Sequence, residues 1–166
     1  MVTYRLGKPN PKQLLFFKAR AKYIAYGGAR GGGKSWAQRG KATLLACRYN
    51  GIRILILRRT YPELTETFVK PLKKDLADVM RAGMAQYRET DKEFVFGNGS
   101  LVMLGYCDNA ADLNRYQGAE YDVIFIDEAT QWPEEWFITL TACVRGVNGF
   151  PKRIYLTCNP GGVGHN

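Results

Sequence analysis

The segment Gly28-Ala29-Arg30-Gly31-Gly32-Gly33-Lys34-Ser35 contains the pattern GxxxxGK(S/T) in full. Glycine adopts backbone conformations closed to other residues, so a run of glycines lets successive N–H groups curl inward around an anion. A helix starting just after such a run presents its unpaired N–H groups, and the positive end of its dipole, to the same anion. At this spacing Lys34 reaches the β- and γ-phosphates of a nucleoside triphosphate, and Ser35 sets its hydroxyl on Mg2+. A flexible glycine loop could match by accident. Here, however, an apolar strand precedes the pattern and a helical segment follows it, which is the context the chemistry requires.

A second constellation lies ninety residues on. Val123-Ile124-Phe125-Ile126-Asp127-Glu128 is four apolar residues ending in two acids. A buried strand delivers its terminal side chains to the carboxyl edge of a parallel sheet, where ligands of open α/β folds bind. Asp127 is expected to hold Mg2+, directly or through its water. Glu128 is expected to point away from that position and to polarise the water attacking the γ-phosphate. Taken alone, the acids also fit an ordinary helix cap at Asp127. The phosphate loop in the same chain favours the catalytic reading, and the second acid favours hydrolysis over transfer to a metabolite.

These residues need a scaffold. Periodicity and punctuation predict a helix over residues 11–20, a strand Tyr23–Tyr26, a helix from Lys34 to Tyr49 and a buried strand Ile52–Leu57. A helix is predicted from Pro71 to Ala82, with the proline in its first turn, Leu72, Leu76 and Val79/Met80 inward, and Lys73 and Lys74 outward. Phe94–Phe96 and Leu101–Leu104 flank Asn98-Gly99, a hairpin signal, so residues 85–106 read as an antiparallel insertion or edge. Strand Val123–Ile126, a helix from Pro133 to Val144 and a last strand Arg153–Leu156 complete the order. With the phosphate loop, this predicts an α/β P-loop NTPase of RecA/ASCE-like type. Its form is a three-layer sandwich with a mostly parallel central sheet and an antiparallel hairpin addition.

The 166 residues suit one domain, and 46% hydrophobic with 23% charged residues is ordinary globular composition. No apolar run reaches the roughly 20 residues that span a bilayer, and MVTYRLGKPNPKQ lacks the pattern of a secretory signal. Cys47, Cys107, Cys143 and Cys158 are scattered and the chain has one histidine. That argues against zinc or a disulfide framework and for a reducing cytosol. A formal charge of +9 leans towards a polyanionic partner, with a solvated basic surface as the plain alternative.

YGGARGGGKS, RYQGAEYDVIFIDEATQ and YLTCNPGG together resemble the ATPase domain of bacteriophage terminase large subunits, from about Lys12 to Gly162. The resemblance implies an ATP-hydrolysing motor that drives double-stranded DNA into a procapsid. It further implies a homo-oligomeric ring, a portal protein and a small terminase subunit as partners, the host cytoplasm as location, and no membrane. ATP and Mg2+ are the implied cofactors. It assigns Gln13 to the adenine edge, Arg30 to the γ-phosphate charge, and Thr157 and Asn159 to coupling. Arg115 matches an arginine presented to a neighbouring subunit, a role open also to Arg145 or Arg58.

Complete large subunits carry a nuclease domain with clustered acids, and no such cluster follows Asp127-Glu128. The expectation is therefore a single ATPase domain over residues 1–166, truncated at its C-terminus and without nuclease activity. Two other functions compete: a helicase-like DNA translocase, and a nucleotide-binding assembly module with negligible turnover in isolation. A metabolite kinase lacks its arginine-rich lid here. Lys70, Lys73, Lys74, Arg58 and Arg59 are candidate DNA contacts. Phe16, Phe17, Trp36, Trp132, Trp136 and Phe137 read as helix faces packed on the sheet, and His165 as a solvated residue.

Overall fold

The computed structural model describes residues 4, 6–27 and 33–158. One seven-stranded sheet runs through it in the order β1-β7-β6-β2-β5-β4-β3, from β1 (Tyr23–Gly27), β2 (Arg53–Arg58), β3 (Ala85–Arg88), β4 (Glu93–Phe96), β5 (Leu101–Tyr106), β6 (Val123–Ile126) and β7 (Arg153–Cys158). The first five neighbours are parallel and the β5-β4-β3 end is antiparallel. β7 thus separates the strand that leads into the phosphate loop from the strand that ends in the acids.

Side chains alternate across the pleat, so each central strand feeds two cores. Ile54, Ile56, Val123, Phe125 and Tyr155 pack under α1 (Pro11–Lys18), α2 (Lys34–Arg48) and the helical stretch after β2. Leu55, Leu57, Ile124, Ile126 and Ile154 pack on the other face against Trp132, Trp136 and Leu140. The last two belong to α7 (Glu134–Thr141), which follows a short 3-10 turn, Ala129–Gln131; α6 (Ala110–Leu113) lies on the same face through Leu113. Two helical layers on one sheet make the three-layer sandwich. Phe16, Trp132 and Trp136 are buried, and Phe17, Trp36 and Phe137 pack against the cores.

Two expectations need correction. The helix expected to start at Pro71 begins ten residues earlier, at Tyr61: α3 (Tyr61–Leu64), a π turn (Thr65–Val69), α4 (Lys70–Asp75) and α5 (Ala77–Arg81). Thr60 is its N-cap, accepting from the Glu63 amide, and Pro62 sits in the first turn. Pro71 is tolerated inside because the π turn ahead of it, closed by Lys70 N donating to Thr65 O, loosens the ladder the ring would break. Residues 85–106, in turn, are no insertion. β5 pairs in parallel with β2 along Arg53↔Leu101 to Arg58↔Tyr106, so only β4 and β3 are the added edge. The hairpin turn anchors to the end of α2, where Asn98 Nδ2 and Ser100 Oγ both donate to Ala46 O at 2.8 Å.

Candidate functional site

The carboxyl ends of β1, β7 and β6 lie side by side, with Tyr26 opposite Thr157 and Ile126 opposite Leu156. α2 starts from the same edge. Its N-cap, Gly33, adopts φ +73° and makes no side-chain cap, and the first turn carries no acid. The amides that an anion takes at a helix start are therefore not claimed by a capping side chain. Lys34 opens the helix and is buried, and Ser35 follows it, half-buried.

α1 braces this helix start. Gln13 forms a capping box with Asn10, its Oε1 accepting from Asn10 N at 2.9 Å, and its Nε2 donates to Gly33 O at 3.2 Å. Lys12 Nζ donates to Gly27 O at 2.6 Å. One helix thus holds the last residue before the phosphate loop and the last glycine of it. Gln13 is buried against the loop rather than solvated on a helix face. Gly28, Ala29, Arg30, Gly31, Gly32, Asn159 and His165 lie outside the described residues.

Asp127 ends β6 almost fully buried, at 2% exposure. Its carboxylate caps no helix. Oδ1 accepts from Thr157 Oγ1 at 2.5 Å and from Gln38 Nε2 at 3.1 Å, and Oδ2 accepts from Arg58 Nη1 at 2.6 Å. Gln38 Nε2 also donates to Thr157 Oγ1. Gln38 is one helical turn beyond Lys34 and shares its face. The helix of the phosphate loop, the acidic strand end and the strand between them therefore converge on one carboxylate. The oxygen donors on offer are Ser35 and Asp127, which fits a hard cation held mainly by the phosphates of a nucleotide. Among the described residues no cluster of three acids, histidines or cysteines forms a metal cage.

Glu128 adopts φ +54°, ψ +49°, the left-handed region that a glutamate occupies only under constraint. Trp132 Nε1 donating to Asp127 O at 3.0 Å and Gln131 N donating to Glu128 O at 2.9 Å hold this turn. Gln131 Nε2 donates to Glu128 Oε2 at 3.4 Å. Glu128 is half-exposed beside the buried aspartate. The two acids meet different partners: Asp127 meets Arg58, Thr157 and Gln38, and Glu128 meets Gln131.

The described arginines named from the sequence have partners within their own chain. Arg58 faces Asp127, Thr67 and Glu63 of its own chain. Arg59 binds the carbonyls of Cys107, Asp108 and Gln131 and stacks over Trp136. Both are engaged with partners inside the domain. Lys70 pairs with Glu66 and Lys73 with Glu89, while Lys74 is exposed. Arg115 stacks on Tyr106 with its carbon 4.6 Å from the ring centroid and pairs with Asp112 at 3.2 Å, half-exposed near the end of β5. Arg145 pairs with Glu120 beside the Tyr121↔Val144 bridge, at the opposite end of the sheet from the acids.

Sequence reasoning missed Gln38, Arg58 as the partner of Asp127, and Lys12. Only Gln38 carried a signal, a polar residue four after Lys34 on a helix face otherwise buried.

The profile of the family described as Phage terminase large subunit matches residues 20–165. No curated protein matches the chain. Among solved structures, the chain is similar to the large terminase of a thermophilic bacteriophage in complex with ADP: TM-score 0.70, 20% identity, 92% of this chain and 39% of that one. It is also similar to a Thermus phage large terminase ATPase domain, with TM-score 0.71, 20% identity, and 91% and 64% of the two chains covered. The bacteriophage Phi-29 viral genome packaging motor assembly matches with TM-score 0.56 and 20% identity, over 89% and 46%. The chain spans about 40% of the length of the full large terminases it matches.

Proposed function

Because this chain belongs to the phage terminase large subunit family, we propose that it is the ATPase motor domain of such a subunit, powering entry of double-stranded DNA into a procapsid. The observation that carries this reading is the three-way contact of Gln38, Thr157 and Asp127, which ties the phosphate-loop helix to the acidic strand end through the strand between them. The relatives described above, one holding ADP and one in a genome packaging motor, support it.

Lys34 and the α2 amides bind the β- and γ-phosphates, joined by the loop residues Gly28 to Gly32 and by Arg30. Mg2+, when bound, neutralises phosphate charge, with Ser35 and Asp127 as the residues that hold it. Glu128 accepts a proton from the attacking water. Thr157 and Asn159 report loss of the γ-phosphate, because Thr157 already shares its hydroxyl with the Asp127 carboxylate. Gln13 positions the loop through Gly33 and keeps one amide hydrogen for an adenine edge. Residues 1–166 act as one domain. Ring formation, the portal, the small subunit and Arg115 as a residue acting on a neighbour's nucleotide belong to the same proposal.

The test is Glu128→Gln. Nucleotide affinity is expected to stay within about twofold while turnover falls at least about 100-fold, the usual worth of a positioned general base. Unchanged turnover removes Glu128 from the chemistry. An assembly module without catalysis predicts negligible turnover in the parent chain even at high protein concentration, where a ring with an arginine in trans predicts a rise.

A further inference from the structure

At the amino end of the sheet, away from the nucleotide site, a cavity of about 270 Å³ is lined by Lys18, Arg20, Lys41, Arg48 and Arg153, with no carboxylate among its lining residues. Arg153 opens β7 and Thr157 lies four residues on, so roughly 13 Å of strand separates the cavity from Asp127. Among the described residues none of these five cations makes an ion pair, although ten such pairs form elsewhere.

We propose that this cavity is a docking site for the phosphodiester backbone of duplex DNA, with Lys41 and Arg153 at its floor and Lys18, Arg20 and Arg48 at its rim. The inference rests on the DNA-motor reading and adds a location to it. Lys41 is 9% exposed and, among the described residues, donates only to Phe17 O and meets no counter-charge. Arg153 is half-buried, its Nη1 donating to Tyr155 Oη at 3.0 Å. Burial, reinforced by Arg153, Arg20 and Arg48, pushes the Lys41 ammonium down to about 8. Gathering like charges this closely is unfavourable unless an anion enters among them.

The cavity, just below the roughly 300–1,000 Å³ of sites that enclose a whole small ligand, has room for a backbone phosphate. Phe17, Leu45 and Tyr49 supply apolar lining for a sugar. The exposed rim residues are long and flexible, suited to following a backbone.

The experiment measures binding of a labelled DNA duplex by the full chain against salt, for the parent and for Arg20→Glu/Arg48→Glu. A charge-matched control, Arg81→Glu/Arg88→Glu, lies on the exposed surface outside the cavity. Expected are a loss of at least about tenfold in affinity for the rim variant, and a salt slope shallower by about two, one counterion per phosphate contact. The control stays within about twofold, and ATP binding and melting temperature are unchanged in both. Equal losses in both variants would mean bulk charge alone and overturn the site. Tighter binding of poly-glutamate than of duplex at equal charge overturns it in favour of a protein partner. A parent chain that hydrolyses ATP and binds duplex, with the rim variant unaffected, sinks this surface only. A parent chain that does neither sinks the motor reading with it.

Discussion

The guanidinium of Arg58 lies 2.6 Å from the carboxylate of Asp127, joining the end of β2 to the end of β6 across neighbouring strands. A carboxylate at 2% exposure needs a counter-charge, and Arg58 supplies it at one oxygen, while Thr157 and Gln38 donate to the other. Removing the arginine strands a buried negative charge. Arg58→Ala is expected to lower unfolding stability by about 3 kcal/mol, read by urea denaturation. Saturating Mg-ATP should recover part of it by supplying positive charge and by binding only the folded state. Full stability in Arg58→Ala without nucleotide would show the pair to be dispensable.

Thr157→Val keeps the side-chain shape and removes the hydroxyl that Asp127 and Gln38 share. Stability should fall by about 1–2 kcal/mol, the penalty for leaving a buried polar partner unmade. If Thr157 couples hydrolysis to motion, kcat for ATP falls more than ATP affinity. Equal changes in both would leave it a structural residue.

Gly33→Ala places a methyl 2.2 Å from Gln13 Nε2 and forces an L residue to φ +73°. The left-handed conformation alone costs about 1–2 kcal/mol. ATP affinity should drop, measured by titration with a fluorescent analogue. Adding Gln13→Ala relieves the clash but not the backbone penalty, so rescue should be partial. Complete rescue would mean that the backbone conformation is unimportant.

Lys41 gives a pH signature. Its folded-state value near 8 lies below the usual lysine value of 10.5, so between these limits the unfolded chain binds more protons than the folded one. The Lys41 contribution to stability therefore rises as pH climbs from about 8 towards 10.5, as the buried ammonium loses its proton. The thiols of Cys47, Cys107 and Cys143, which burial holds protonated, act in the opposite direction above their ordinary value of 9.0. Lys41→Met should lose the lysine's contribution alone, so the melting temperature of the parent should gain on that of the variant across this window. A difference between the two that stays constant with pH would take Lys41 out of the pH dependence.

The phosphate loop, the acid pair and the alternation of strands with helices were legible because each is local. GGARGGGKS needs only its own glycines and the segments beside it, and VIFI is apolar at every position because both sheet faces bury it. The Asn98-Gly99 turn was legible for the same reason, since the turn type demands those residues. The early start of the helix before Pro71 was hidden, because a proline reads as a helix start and the π turn that accommodates it leaves no sequence mark.

The chain alone thus determined its fold class, its family likeness and which residues are candidates for phosphate and carboxylate chemistry, all properties of spacing along the backbone. Tertiary structure decided the partners: Arg58 on Asp127, Gln38 bridging to Thr157, Gln13 and Lys12 clamping the loop ends, and five cations from α1, its following loop, α2 and β7 around one cavity. Those contacts join residues up to 119 positions apart. Strand order sets them, and strand order is settled by how the whole sheet buries its two faces rather than by any one segment.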